Sequence, residues 1–193
     1  MTNKRSPHLT NLTIRYALAD CFLGSLLVAK TSMGVCAICL ADNKDKLTRS
    51  LIEIFPKTEL ILDQHNCQVE LDKLLNYMIS PSIGLNLTLD MQGTQFQEQV
   101  WQTLLQIPLG KYLSYTEVAR RIGNPKAVRA VANACANNRL AIAIPCHRVI
   151  RVNGHLAGYR WGLERKRELL RRESEAVGIT TIFNDQHPCS AIV

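Results

Sequence analysis

The chain has 193 residues, of which 47% are hydrophobic and 20% charged, enough to bury a core in one large domain or two small ones. It has no long uninterrupted apolar stretch, and its N-terminus, MTNKRSPHLTN, is polar without an apolar h-region. The expectation is a cytoplasmic protein with no transmembrane helix, no secretory leader and no membrane partner. The net charge of +7 is unevenly placed: residues 1–93 hold nine basic and nine acidic residues, whereas residues 94–176 hold fourteen basic and six acidic. That asymmetry fits a polyanion such as nucleic acid against the second half, or a solvated basic surface.

The predicted elements begin at Leu12. The stretches LTIRYALA, LGSLLVAKT and VCAICLA read as strands, with breaks near Asp20-Cys21 and Met33-Gly34, spaced like an antiparallel meander. Two helical patterns follow. KDKLTRSLIEIF stops at Pro56, and CQVELDKLLNYMI stops at Ser80-Pro81. LNLTLDM then alternates as a short extended segment and leads to Gly93. Residues 1–11 are expected to be disordered, and residues 12–92 to form a small α/β domain.

A second domain is expected over residues 93–176. Thr94 and Gln97 have capping-box spacing, and Phe96, Val100, Trp101, Leu104 and Leu105 form one apolar stripe. Pro108 and Gly110 end that helix. Ser114 and Glu117 open another, which should stop at Gly123. Asn124 and Pro125 are placed to cap and start the next, giving a helix-turn-helix. This third helix, KAVRAVANACA, is rich in alanine and carries Arg129 early. Small side chains permit close packing on another helix or close approach to a DNA groove. Leu140–Ile144 reads as a buried strand or extended segment that runs into Pro145. Asn153-Gly154 marks a turn, LERKRELLRRESEA a last helix, and residues 177–193 a flexible tail.

Pro145-Cys146-His147-Arg148 carries the chemistry. A thiol becomes a nucleophile when it loses its proton, and an imidazole or cation nearby is the usual means. In an extended segment adjacent side chains point apart. His147 therefore needs a turn, or a bridging water, to serve Cys146. A third group should orient the imidazole, and the last helix offers Glu164, Glu168 and Glu173. Seven irregularly spaced cysteines without a secretion signal argue against a disulfide framework. Cys36-Ala-Ile-Cys39 has zinc-like spacing, but no second pair follows and it lies in an apolar strand, so no metal is expected. His8, His65, His155 and His187 carry no motif.

IPCHRV (144–149), followed by GYRWG (158–162) and preceded by NPKAVRAVANACANN (124–138), resembles the O6-alkylguanine-DNA alkyltransferases. The resemblance covers about residues 12–176. It is closest to the alkyltransferase half of bacterial members that carry a second, metal-binding half with four cysteines, and no such cluster precedes the helix-turn-helix here. The resemblance implies an α+β fold: a small N-terminal antiparallel sheet with helices, ribonuclease H-like, and a mostly helical C-terminal domain with a helix-turn-helix, winged-helix-like. It implies single-turnover, irreversible transfer of an alkyl group from O6-alkylguanine, and from O4-alkylthymine, to the protein's own cysteine after base flipping in the minor groove of double-stranded DNA. The protein would act as a monomer and without a cofactor.

The same resemblance assigns roles. Cys146 would be the acceptor, His147 would take its proton through a water, and Glu173 would orient His147. Asn138 would tie the helix-turn-helix to the active-site turn. Tyr115 would hydrogen-bond the departing base and help rotate its phosphate, and Arg129 would enter the vacated stack. Tyr159 and the Arg160 backbone would form the lid, and the carbonyls of Cys146 and Val149 would read the guanine amine. Lys126 and Ala130 complete the expected DNA-binding set. Asn133 departs from the small residues common in that helix. A base inside a duplex is shielded from a pocket-bound thiol, so extrusion must precede transfer. Two other readings compete: a DNA-binding regulator or damage-recognition protein without transfer chemistry, and a cysteine hydrolase. A purely binding protein has no need of a thiol beside His147, and a hydrolase needs an oxyanion hole that no motif supplies.

Overall fold

The alternating apolar residues of the first forty positions form three strands: β1 (Thr13–Cys21), β2 (Gly24–Thr31) and β3 (Gly34–Ala41). They pair antiparallel in a meander, as expected. The computed structural model describes residues 13–179, and the expectations for residues 1–11 and for the tail past 179 lie outside it. A fourth strand, β4 (Glu59–Leu62), joins the far side of β1 in parallel, so the sheet order is β3-β2-β1-β4. The sequence reading left β4 out, because ELIL is short and sits between two stronger helical patterns.

Period-two alternation, shifted in β3 by a bulge at Cys36, sorts β2 and β3 onto two cores. Leu27, Ala29, Cys36 and Cys39 face α1 (Lys44–Ile54), where they meet Leu47, Leu51 and Phe55. Asn43 caps α1, its side-chain oxygen accepting from the Lys46 amide at 3.0 Å. On the other face, Leu26, Val28, Val35, Ile38 and Leu40 join Leu71 and Leu74 of α2 (Gln68–Ile79). This second core continues into the C-terminal half, through Trp101, Val131, Ile144 and Cys146. The outer edge of β3 is covered by two segments. Val35 exchanges backbone hydrogen bonds with Thr88 and Asp90 of the predicted extended stretch, both at 2.8 Å, and Ile38 does so with Arg139 and Ala141, at 2.8 and 3.1 Å.

Both expected capping boxes form. Thr94 and Gln97 open α3 (Gln95–Leu105), and Ser114 and Glu117 open α4 (Tyr115–Arg121), each with the reciprocal side-chain to backbone bonds. Gly123 follows α4 at φ +75°, a conformation an L side chain rarely adopts. The next helix, α5, runs Val128–Ala136 and so starts later than Pro125. Asn124 does not cap it with its side chain. Its carbonyl instead accepts from the Ala127 amide at 3.0 Å and closes a turn, and Ala127 becomes the N-cap. A short parallel pair, β5 (Leu113–Ser114) and β6 (Val149–Ile150), stitches the start of α4 to the active-site stretch. The last helix, α6, spans Leu163–Ala176, as read from the sequence. The first tail residues, Val177 to Ile179, fold back with amides bonded to the Ser174 and Glu175 carbonyls.

The expectation of a strand over Leu140–Ile144 is not met. Only Leu140 bridges the sheet, and the rest is a tight turn with Ile142 at φ +69°. Its backbone groups are satisfied locally: the Ala143 amide donates to Ala141 and the Ile144 amide to Leu140. An apolar run alone cannot distinguish a buried strand from a buried turn. The architecture as a whole is α+β, as expected, with a small sheet and six α-helices among the described residues.

Candidate active site

Asn138 sits directly beyond α5 and is fully buried. Its amide nitrogen donates to the Ile144 carbonyl at 2.9 Å and to Cys146 Sγ at 3.1 Å, while its oxygen accepts from the Leu140 amide at 2.9 Å. One side chain thus holds both ends of the Leu140–Ile144 turn and the thiol. Such local side-chain bonds compete with regular ladders and explain why the turn replaces a strand. Cys146 begins a 3-10 turn, Cys146–Arg148, and is 3% exposed. Burial pushes its thiol pKa up, against the Asn138 bond and the field of Lys166.

The turn swings His147 and Arg148 inward. His147 is fully buried, with Nε2 2.8 Å from Glu173 Oε1. Arg148 donates Nε to Glu173 Oε2 at 2.8 Å and a terminal nitrogen to Oε1 at 2.9 Å. Its remaining donors reach the Ile107 carbonyl and, at 3.0 Å, the Tyr77 hydroxyl, which itself donates to Glu173 at 3.3 Å. Burial lowers the His147 pKa, so the imidazole is neutral and the cation that balances Glu173 is Arg148. Burial alone would raise the Glu173 carboxyl, but the His147 and Arg148 contacts more than reverse it and hold it well below the usual carboxylate range. An ionised Glu173 accepts a hydrogen bond from His147 Nε2–H. That tautomer leaves Nδ1 as an acceptor, and among the described residues Nδ1 has no hydrogen-bond partner although it is buried.

Tyr159 stands edge-on to His147, ring centroids 6.5 Å apart, and to Trp161, 5.2 Å apart. Its hydroxyl is the second buried polar atom here without a partner among the described residues. Tyr115 opens α4 directly after Ser114, which pairs with Ile150; it is half-buried, and burial, then the nearby Cys135 and Cys146, push its hydroxyl pKa up. The Val149 carbonyl accepts from Lys166 Nζ at 2.6 Å. Lys166 is a fully buried lysine, and burial pulls its pKa down to about 8.

Cys146, His147, Glu173, Asn138, Val149 and Tyr159 are therefore brought together. Lys126, Arg129 and Ala130 are exposed, Lys126 in the turn before α5 and the other two on its first turns, where Asn133 shares the same face. Arg160 is exposed too, with a guanidinium nitrogen 3.5 Å from the Ala136 carbonyl at the end of that helix. Sequence reasoning gave no role to Arg148, Tyr77 or Lys166. Arg148 stood in the motif itself, but burial of a charged residue leaves no mark in its neighbours' identities. Cys36 and Cys39 are buried, and burial pushes their thiols up to about 12, the opposite of a metal-ready thiolate. Among the described residues no helix is long and apolar enough to cross a membrane.

A thiol held by an amide thus lies next to a neutral imidazole that is backed by a buried carboxylate, the grouping of a candidate cysteine nucleophile. The protein's class is narrowed by the alanine-rich helix that leads into Asn138. A family profile described as 6-O-methylguanine DNA methyltransferase, DNA binding domain, matches residues 95–175. The chain is 46% identical over 114 residues to a methylated-DNA–protein-cysteine methyltransferase of Mycobacterium bovis, covering 58% of this chain and 69% of that one. It is 51% identical over 181 residues, 91% of its length, to the bifunctional transcriptional activator/DNA repair enzyme Ada of Escherichia coli K12, and spans half the length of that protein. The crystal structure of Mycobacterium tuberculosis OGT in complex with DNA superposes with a TM-score of 0.71 at 34% identity, over 84% of this chain and 94% of that one. The chain belongs to the methylated-DNA–protein-cysteine methyltransferase family.

Proposed function

We propose that the protein repairs DNA by direct transfer: Cys146 Sγ takes the alkyl group from O6-alkylguanine, and by the same chemistry from O4-alkylthymine, in a duplex. The observation that carries this reading is the buried Cys146–Asn138 pair beside an imidazole with a free acceptor nitrogen. The thiol proton passes to His147 Nδ1 through a water, and Glu173 steadies the imidazolium that forms. The S–C bond forms as the bond between carbon and guanine O6 breaks, and the electron pair leaves with the base. The Tyr115 hydroxyl donates to that base as it departs. The product thioether has no easy reverse reaction, so each chain acts once and needs no cofactor.

The target base must leave the stack to meet a thiol that is 3% exposed. The exposed face of α5 supports a minor-groove approach, with Ala130 letting the backbone come close, Arg129 filling the vacated position and Lys126 meeting phosphate. Tyr159 and the Arg160 backbone close over the flipped base, and the Cys146 and Val149 carbonyls accept from its amino group. Every group in this scheme comes from one chain, which supports a monomer. Incubation with a duplex carrying O6-methylguanine, followed by peptide mass mapping, should place one methyl group on the peptide containing Cys146 and none in a Cys146→Ser variant. Methyl on Cys135 would overturn the assignment.

A further inference from the structure

Tyr77 is buried near the end of α2, in the first half of the chain, and the proposed chemistry does not use it. Its hydroxyl nevertheless reaches the active-site cluster. A terminal nitrogen of Arg148 donates to it at 3.0 Å, and it donates to Glu173 Oε1 at 3.3 Å. Chemistry fixes both directions. A guanidinium carries only donors, so the phenol oxygen must accept from it; an ionised carboxylate carries only acceptors, so the phenol proton must point at Glu173. Burial, and then the charge of Glu173, push the phenol up to about 12, so it keeps that proton across the neutral range.

The two oxygens of Glu173 are loaded unequally. Oε2 accepts from Arg148 Nε at 2.8 Å, whereas Oε1 accepts from His147 Nε2 at 2.8 Å, from Arg148 at 2.9 Å and from Tyr77. The oxygen that orients the imidazole is therefore the one that Tyr77 touches. Each added donor spreads the charge on that oxygen and favours the ionised carboxylate over the protonated one. A carboxylate so restrained accepts a hydrogen bond from His147 without drawing the proton across. The other charged and titratable groups around the imidazole are Arg148 and Cys146 of the same turn, Lys166 of α6 and Tyr159. Of these, only Arg148 shares Oε1 among the described residues.

Resting on the transfer reading above, we propose that Tyr77 is a positioning residue for the reaction: by donating to the carboxylate oxygen that holds His147, the first half of the chain sets how strongly that imidazole can take the proton of Cys146. Without the hydroxyl, Oε1 keeps more of its charge for His147, and the imidazolium is better stabilised. A phenol that donates more strongly has the opposite effect.

The test compares the wild-type protein, Tyr77→Phe and a protein with 3-fluorotyrosine in place of Tyr77, whose phenol is the stronger donor. The single-turnover rate on a saturating duplex carrying O6-methylguanine and the ring-nitrogen NMR shifts of His147 are followed over a pH series, with folding checked by thermal melting. In Tyr77→Phe the imidazole titration and the acid limb of the rate should both move up by about one pH unit, one hydrogen bond to a charged group at the weak end that 3.3 Å implies. The rate above that limb should rise, by less than about tenfold, as a stronger base takes the thiol proton. Fluorotyrosine should move the limb and the titration down, and it serves alone if the phenylalanine variant does not fold. An unmoved imidazole titration, an equal loss of rate at every pH, or shifts of the same sign in both variants would overturn the proposal and leave the transfer reading standing. A wild-type protein that takes no methyl group at any pH would overturn both.

Discussion

Replacing Glu173 by Gln removes one charge from the interior and changes almost no volume. In the wild type the carboxylate receives His147 Nε2, two nitrogens of Arg148 and the Tyr77 hydroxyl, all between 2.8 and 3.3 Å. A neutral amide keeps one oxygen that accepts from Arg148, but it leaves the guanidinium buried without its counter-charge, with the Ile107 carbonyl and Tyr77 as its other partners. Breaking a buried pair from one side costs about 3–5 kcal/mol, so urea melts at pH 7 should show a loss of that order. The Glu173 carboxyl titrates below its unfolded value, so its contribution is fully present above about pH 4.3 and is lost as pH falls through the lower folded value. The stability gap between variant and wild type should therefore close as the pH is taken down through that window. The amide NH2 can also donate to His147 Nε2, which forces the proton onto Nδ1 and removes the acceptor that Cys146 needs. General-base contributions are about 10²–10⁴-fold, and quenched single-turnover assays on a methylated duplex should show a loss in that range, with the rate profile shifted to higher pH. A folded Glu173→Gln variant that loses much less than about 10²-fold, with an unmoved profile, would refute the idea that this carboxylate sets the tautomer.

Arg129→Ala should slow repair in duplex DNA far more than reaction with free O6-benzylguanine, since Arg129 is exposed on the first turn of α5 whereas the thiol is buried; equal losses would remove its role in extrusion. Arg120, Arg121, Lys126, Arg129, Arg151 and Arg160 are all exposed, and if most meet phosphates, log K should fall against log salt with a slope of about −3 to −5. A slope shallower than about −1 would place the DNA elsewhere. His147 is neutral when folded and binds a proton when unfolded, so stability should decline as pH falls below about 6.5, the unfolded imidazole value. In His147→Asn that upper part of the acid limb should flatten, which chemical melts across pH 5 to 8 would measure.

The elements that were legible in the sequence are those whose signals are local. The two capping boxes need only a hydroxyl and a long polar side chain three residues apart, and both form as read. The meander is written in period-two alternation and in its glycine breaks. The features that escaped depend on which of several local bonds the fold selects, or on distant partners. The Leu140–Ile144 run carries the composition of a strand, and it is Asn138, together with the edge of β3, that makes it a turn. Pro125 is a good first helical residue, yet Asn124 spends its carbonyl on a turn and the helix waits for Val128. Cys146 and His147 stood out because a thiol and an imidazole are conspicuous after an apolar run. Glu173 is one of four glutamates on the last helix, and one of three that the sequence offers as partners for His147; the resemblance singles it out, and it is the one that meets His147. Tyr77, from the first half of the chain, completes the same cluster across 96 positions of sequence, a separation no local pattern reports.

The covered edge of β3 has a consequence for how the protein fails. Val35 and Ile38 give their outward backbone groups to segments that lie far along the chain, around Leu89 and Leu140. A fragment that stops at residue 93 keeps the first cover and loses the second. It would present Ala37 to Leu40, an apolar stretch with unpaired amides and carbonyls, to any strand that drifts by. An open apolar edge of this kind is a template for pairing between molecules. Such a fragment should come out of expression as insoluble aggregate or as a β-paired oligomer, whereas the longer chain closes that edge with Arg139 and Ala141, in the segment directly after the Asn138 that holds its thiol.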